Sequence, residues 1–582
     1  MAPDTGLAFL SYVVLWPVFM IVSSTFRWNL QDLRLSDQAI PGHFTWFHWI
    51  RVLASDTSYA LFYHPVFHSI CVGAATSLLS MVIGCGLAWL VTRTDMPLKR
   101  TITFLAVIPY LLPAWVLSQA WLMFFKNEKI GGVPGFIQSI FHISPPDWLS
   151  YGFVPIVLTL SLHDCVYFFL IVGAALSTIN PQLEEAASLA GARRFTILRR
   201  IVLPVVLPSI LSAVILVFTK ALSSYGVPQL LGTPVDYQMI ATMLYSSMRS
   251  RMTSEASVLS ILLLLISVAA IAFYFRALGK RRSFVTVSGK SAGGSAQALG
   301  RWRNPAAVVV LLLMAAMAVL PLLVLLAQTF LLKEGAPIGP QNFTLHYWIG
   351  GSDPDINSGE PGILKNPIFL LALKNSLKIA GISSILAAAG GLLLGYVTVR
   401  SKRSWLGRLI DNVSFFPYLI PGISLSAMYI TMFAKPVLYL PALYGTLSLL
   451  VLITVVKELP FTVKAGGAAI MQLGEELEEA AVVGGASWLT SFRRILLPLT
   501  RKSFVSLFLL VFIGAMKEME LIIILVTPRT ETLTTLTFFY AERNYTQLMN
   551  VMLMIIIAIV LIVYALSVKL GKADLTQGIG GQ

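Results

Sequence analysis

Long apolar runs alternate with short polar segments along most of the chain. A helix needs about 20 apolar residues to cross a bilayer core. The windows 309–327 and 549–568 reach that length without a charged residue. Read for runs of this kind, the chain holds twelve expected spans. The first six lie at 6–25, 67–92, 102–125, 151–177, 205–227 and 257–276. The second six lie at 305–330, 375–399, 409–433, 441–463, 503–526 and 549–568. This pattern predicts an all-α polytopic membrane protein.

The spans form two sets that repeat. At an offset of 294, residues 183–204 match 477–498 at 13 of 22 positions. "PYLLP" at 109–113 matches "PYLIP" at 417–421, and "HFTWFHW" at 43–49 resembles "NFTLHYW" at 342–348. Each half holds six spans. An even number gives both halves the same orientation, unlike the inverted repeats of many secondary transporters. The expected organisation is a first half at 1–278, a basic linker at 279–304 and a second half at 305–582. The linker is rich in Gly, Ser and Ala, a flexible composition.

Composition sharpens this picture. Hydrophobic residues make up 57% of the chain and charged ones 12%, against about 25% charged in soluble domains. Mean hydropathy is +0.79. The net charge of +15 does not call for nucleic acid. Lys and Arg cluster in alternate loops, and the positive-inside bias places those loops and both termini in the cytoplasm. Cys71, Cys85 and Cys165 sit in apolar stretches without metal or disulfide spacing. The segment before residue 25 lacks a basic start and a small-residue cleavage pattern, so a retained helix is expected there.

The strongest local signal is charged. Asn180-Pro181 reads as a helix start, with Asn as cap and Pro at the first helical position. Glu184 and Glu185 follow, where the helix dipole favours acid. Gly191 is placed to end the helix, and a second short helix carries Arg199 and Arg200 before Pro204. The second copy repeats this, with Gly474 as the expected cap and Ser487 capping the second helix. Each hairpin falls between the fourth and fifth span of its half.

Glu185-Ala186-Ala187, Gly191, Ile201 and Leu203-Pro204 keep a spacing that recurs at Glu479-Ala480-Ala481, Gly485, Ile495 and Leu497-Pro498. This pattern resembles the EAA loop of binding-protein-dependent ABC importer permeases, here at 180–204 and 474–498. The resemblance covers essentially the whole chain as a type I importer permease with its two halves fused. It implies that Glu185, Ala186, Ala187, Gly191, Glu479, Ala480, Ala481 and Gly485 couple the spans to a separate ABC ATPase, two copies of it, one per loop. That ATPase would use ATP and magnesium. The chain has no G-x-x-x-x-G-K-[ST] loop of its own, so it is expected to be a permease and no enzyme, with no bound cofactor, metal or nucleic acid. The resemblance also implies a bacterial inner membrane location, contact with lipid, and a periplasmic solute-binding protein as partner.

Charges inside a bilayer are costly and are candidates for function. Asp164 in the fourth span has Glu458 as its mate at offset 294, and Lys457 stands where His163 does. The fifth spans add Lys220 in one half and Lys517, Glu518 and Glu520 in the other. Asp164, Glu458, Lys517, Glu518 and Glu520 are candidates for a translocation path; buried ion pairing that fixes helix packing is the alternative. Pro109, Pro113, Pro417 and Pro421 should kink the third spans. His43, His48, His64 and His68 lie among aromatic residues and read as a metal site or as an interfacial aromatic belt. Segment 516–528, "MKEMELIIILVTP", resembles the "MKELPLTLLLRP" segment of ferric-iron permeases, with Glu520 at the Pro position. Ferric iron is therefore the expected cargo, with thiamine, polyamine, sulfate and aminoethylphosphonate as alternatives. An ion-gradient carrier using the buried carboxylates is the alternative from a different class.

Overall fold

A computed structural model describes residues 7–8, 10–278, 297–333, 339–401, 404–436 and 441–571. Among them every regular element is helical, and extended pairing is limited to isolated bridges. The expected linker lies outside the described residues as far as 296. From Gln297 onward it is held. Gln297 donates its N–H to the Arg93 carbonyl at 2.9 Å, and Leu299 donates to Asp95 Oδ1 at 2.8 Å.

Among the described residues seven helices are long and apolar enough to cross a membrane unaided, and three helix pairs bent by 70° to 108° pass the same test when each pair is taken together. The expected first span corresponds to the shorter apolar stretch Ser11–Thr25. The expected tenth lies in Leu447–Met471, which carries Lys457, Glu458 and Lys464. The repeat survives folding. Phe153–Ser177 and Leu447–Met471 are both 25-residue helices, related at both ends by the offset of 294. Phe44 and Phe343 each close an antiparallel bridge after the first span of their half. Each also stacks on a phenylalanine, Phe26 at 5.9 Å and Phe330 at 5.8 Å between ring centroids.

The third spans are broken rather than merely kinked. Lys99–Tyr110 meets Ala114–Phe125 at 96°, and Trp405–Leu419 meets Gly422–Phe433 at 108°. Pro113 and Pro421 lack an N–H, and a residue before proline is pushed out of helical geometry. Leu112 and Ile420 accordingly take extended conformations, with ψ of 151° and 119°. The fifth-span helices also stop earlier than expected, at Ser223 and Lys517.

The chain packs as two compact units. One comprises Met1–Phe62, Met243–Leu264 and Thr344–Gln582. Its core joins Pro367–Arg400 to Leu447–Met471 along a seam of small residues. A β-carbon on Gly395 would lie 2.4 Å from the Gly467 nitrogen and 2.9 Å from the Val463 carbonyl oxygen. Such close approach is how membrane helices gain packing without a hydrophobic drive. Gly395→Val should therefore destabilise this unit by about 1–3 kcal/mol through overpacking, read as a lower melting midpoint in detergent. The opening helix of the chain also belongs here. Leu10, Val13, Val14 and Ile21 are buried with Met428, Met432 and Phe433, and Tyr429 donates to the Val13 carbonyl at 2.8 Å.

The other unit comprises Tyr63–Thr242 and Leu265–Phe343. Its central helix, Phe153–Ser177, is buried along most of its length and lies against His64–Arg93. A β-carbon on Gly84 would sit 2.3 Å from the Cys165 carbonyl. The helix Arg303–Gln328, which opens the second half in sequence, packs in this unit on Lys99–Leu111 and Ala114–Phe125. Each compact unit thus contains the opening helix of the other sequence half.

Candidate functional site

The two charged hairpins have the same backbone. The first runs as a helix, Pro181–Leu189, a turn, a short helix, Arg194–Ile197, and a wider turn, Leu198–Val202. Asn180 caps it by accepting the Gln182 N–H at 3.0 Å. The second runs Glu476–Val483, then Trp488–Ser491, then Phe492–Leu496. Its start is capped by backbone alone at Glu475 rather than at Gly474, while Ser487 does accept the Thr490 N–H, at 3.4 Å.

Both first helices end in the same motif. Gly191 and Gly485 have φ of +84° and +78°. Ala192 donates to the Ala187 carbonyl and Ala486 to the Ala481 carbonyl, each at 2.9 Å. This six-to-one closure needs a left-handed residue, which glycine supplies without the penalty of a Cβ. There is open space around both glycines, so backbone conformation alone selects them.

Each hairpin is tied to the end of the long second-span helix of its half. Glu184 is ion-paired with Arg93, the last residue of His64–Arg93. Its mate Glu478 binds Arg400, the last residue of Pro367–Arg400, through Nη2 at 2.6 Å and Nε at 2.9 Å. Tyr396 also donates to Glu478 at 2.8 Å, and Arg400 reaches the Leu473 carbonyl at 3.3 Å. All four charged side chains are 11–17% exposed. Charge-assisted hydrogen bonds of this kind are stronger than neutral ones. In the sequence Glu184 stands at a helix start and Arg93 is one of several basic residues in a loop expected to be cytoplasmic. The equal spacing of Arg93 and Arg400 from the ends of their halves' second spans was the available signal.

Beyond these anchors the hairpins point outward. Glu185, Ala186, Glu479, Ala480, Gly191 and Gly485 are exposed, while Ala187 and Ala481 are half-buried. Leu189 is 90% exposed and its mate Val483 is 89% exposed, the highest values among the large exposed apolar residues. The two stand at matched positions of the repeat, at offset 294.

The candidate charges of the fourth and fifth spans fall into two groups, one in each unit. In the first, His163 and Asp164 are buried, with Nδ1 and Oδ1 2.7 Å apart. One turn on, Tyr167 accepts a hydrogen bond from Lys220 at 2.5 Å, and its ring lies 4.5 Å from the same ammonium. In the second, Lys457 donates to the Ile420 carbonyl at 2.9 Å. The Glu458 carboxylate lies 3.5 Å from the point where a β-carbon on Gly514 would stand, with Glu518, Lys457 and Lys517 all within electrostatic reach. Glu518 is the first residue after the helix Arg501–Lys517. Its side chain accepts the Leu521 N–H at 2.9 Å and its carbonyl accepts from Thr534 at 2.7 Å. Glu520 follows in the same turn. The structure thus groups Glu458, Lys517 and Glu518, and pairs Asp164 with a neighbour on its own helix.

His43 and His48 belong to one unit, and in the other the rings of His64 and His68 lie 4.6 Å apart. His48 faces Asp32 at 3.3 Å, and His68 stacks on Tyr237 at 3.8 Å. Burial would raise the Asp32 carboxyl, but hydrogen bonds from His48, Asn29 and Ser254 outweigh it and hold Asp32 below its usual range. No group of three His, Cys, Asp or Glu among the described residues has the geometry of a metal site. Phe26 is stacked on Trp49 and edge-on to Trp46.

Two stretches, 80–283 and 389–572, each match the model of the binding-protein-dependent transport system inner membrane component. The chain belongs to this family. Each match runs through a whole hairpin and the spans that flank it. Among its relatives is a ferric transport system permease protein of Actinobacillus pleuropneumoniae, 25% identical over 472 residues, covering 80% of this chain and 65% of that one. Another is an Fe(3+)-transport system permease protein of Haemophilus influenzae, 23% identical over 432 residues, covering 73% of this chain and 74% of that one. The chain thus spans just under two thirds of the first of these relatives. Among solved structures, a bacterial alginate ABC transporter in complex with its periplasmic protein is 15% identical, with a TM-score of 0.34 over 45% of this chain and 87% of that one. A methionine ABC transporter in an inward-facing conformation is 20% identical, with a TM-score of 0.30 over 39% of this chain and 100% of that one.

Proposed function

We propose that this chain is the permease subunit of an ATP-driven importer for ferric iron, with two sequence halves at 1–278 and 305–582. The observation that carries the permease reading is the doubled hairpin. Two copies share one backbone motif, one arginine anchor and one outward apolar residue, and both sit inside the family match. The iron reading rests on the ferric permease relatives and on the segment 516–528.

In this reading Glu185, Ala186, Ala187 and Gly191 in one loop, and Glu479, Ala480, Ala481 and Gly485 in the other, dock on two copies of a cytoplasmic ATPase that uses ATP and magnesium. Leu189 and Val483 add apolar contact at the same surface. Both termini are cytoplasmic. A periplasmic binding protein delivers the cargo and supplies most of the affinity. Asp164, Glu458, Lys517, Glu518 and Glu520 are the path candidates. The carboxylates suit a trivalent cation better than the histidines do. Closing of the ATPase would push on the hairpins, and Arg93 and Arg400 would pass that force to the second-span helices.

The test is uptake of radiolabelled ferric iron by cells lacking this chain, with and without the wild-type chain restored. Restored uptake is the expected result. Uptake that does not depend on the chain would overturn iron as cargo and send the search to thiamine, polyamines, sulfate and phosphonates.

A further inference from the structure

The breaks in the third spans leave a backbone carbonyl without a helical partner. In the first half it belongs to Leu112, just before Pro113, because the Val116 N–H turns to the Pro113 carbonyl instead. In the second half it belongs to Ile420, which lies in extended conformation between the two helices, just before Pro421. A broken helix within a membrane is tolerated only where such groups find a partner. Both carbonyls find the same one. His163 Nε2 lies 3.2 Å from the Leu112 oxygen, and Lys457 Nζ lies 2.9 Å from the Ile420 oxygen. His163 and Lys457 are mates at offset 294, and Leu112 and Ile420 are mates at offset 308. The bond is conserved between the halves although the chemistry of the donor is not. His163 also faces Asp164 through Nδ1.

The donors sit in the middle of the fourth-span helices. Phe153–Ser177 leads through Thr178 and Ile179 to the cap of the first hairpin, and Leu447–Met471 leads likewise to the second. We propose that His163 and Lys457 are positioning residues that pin the broken third span of each half to the fourth, so that movement of a hairpin carries the break with it. The transport role rests on the coupling reading above; the pinning itself does not.

The test uses the full-length chain in lipid nanodiscs, with Cys71, Cys85 and Cys165 replaced by Ser. Spin labels at Thr431→Cys and Gln472→Cys report the distance between the second segment of the break and the end of the fourth span. Lys457→Met, which keeps bulk and loses the donor, is expected to shift or broaden that distance. Lys457→Arg is expected to keep it. In cells carrying the assembled importer, Lys457→Met should lower the maximal rate of radiolabelled ferric iron uptake about tenfold, the scale of one lost charge-assisted bond, with KM unchanged. Lys457→Arg should recover that rate. Wild-type distances in Lys457→Met overturn the pinning. Altered distances with a wild-type uptake rate overturn its role in transport. An Arg variant as defective as Met shows that Lys457 acts by packing, which also overturns it. If Lys457→Met does not accumulate, Lys457→Arg and His163→Lys decide: both keep a donor and should behave as wild type, and failure of both overturns the proposal. Should no variant, wild type included, carry iron, the distances still decide the pinning while the iron reading alone falls.

Discussion

Glu185→Arg combined with Glu479→Arg should abolish ATP-linked uptake while the chain still reaches the membrane in normal amount. Both residues are exposed on the outward side of their hairpins, and exposed substitutions usually change stability by no more than about 0.5 kcal/mol. Folding should survive the change. A partner surface that receives two carboxylates would instead meet two guanidinium groups, and like-charge contacts across an interface cost several kcal/mol. Two such penalties, one in each loop, should leave uptake at background. Membrane fractions probed for the chain, alongside uptake in the same cells, separate loss of coupling from loss of protein. Uptake at the wild-type rate would show that these hairpins do not face an ATPase.

Arg400→Glu should lower uptake about tenfold or more, and Arg400→Glu with Glu478→Arg should recover a large part of it. Arg400 and Glu478 are 16% and 17% exposed, so removing one partner strands a charge that water reaches poorly. Such a loss costs about 3 kcal/mol, enough to free the hairpin from its helix without unfolding the unit. Arg93→Glu with and without Glu184→Arg gives the matching comparison in the first half. Recovery in the swapped pair, and none in either single reversal, identifies the ion pair itself as the connector. Equal uptake in all variants would mean that the hairpins hold their place by other contacts.

Much of this arrangement was legible because the signals were local. Asn180, Pro181, Glu184 and Gly191 announce a helix, its start and its end within twelve residues, and the structure caps and closes that helix as their chemistry requires. The offset of 294 was legible because it joins identical strings. Longer-range features had no such signal. Arg93 meets Glu184 across 91 residues and Arg400 meets Glu478 across 78, and from sequence both arginines read only as positive-inside residues. The prolines of 109–113 and 417–421 predicted a bend. They did not predict a break near 100°, because its depth depends on whether a neighbouring helix offers a donor to the freed carbonyl, and His163 and Lys457 do. The placement of each opening helix in the unit of the other half is set by packing partners such as Tyr429 and Val13, which no periodicity reveals. In the second hairpin, Gly474 has no side chain to accept an N–H, and the helix starts instead after Glu475.

The central claim is that the doubled hairpins are docking surfaces for an ATPase. Photo-crosslinking residues at Leu189 and Val483, introduced one at a time in cells that keep the native transport partners, test it most directly. The account predicts that each position crosslinks to a subunit carrying a G-x-x-x-x-G-K-[ST] phosphate-binding loop, and that ATP changes the yield. Crosslinks to lipid alone at both positions, with uptake intact, would contradict it.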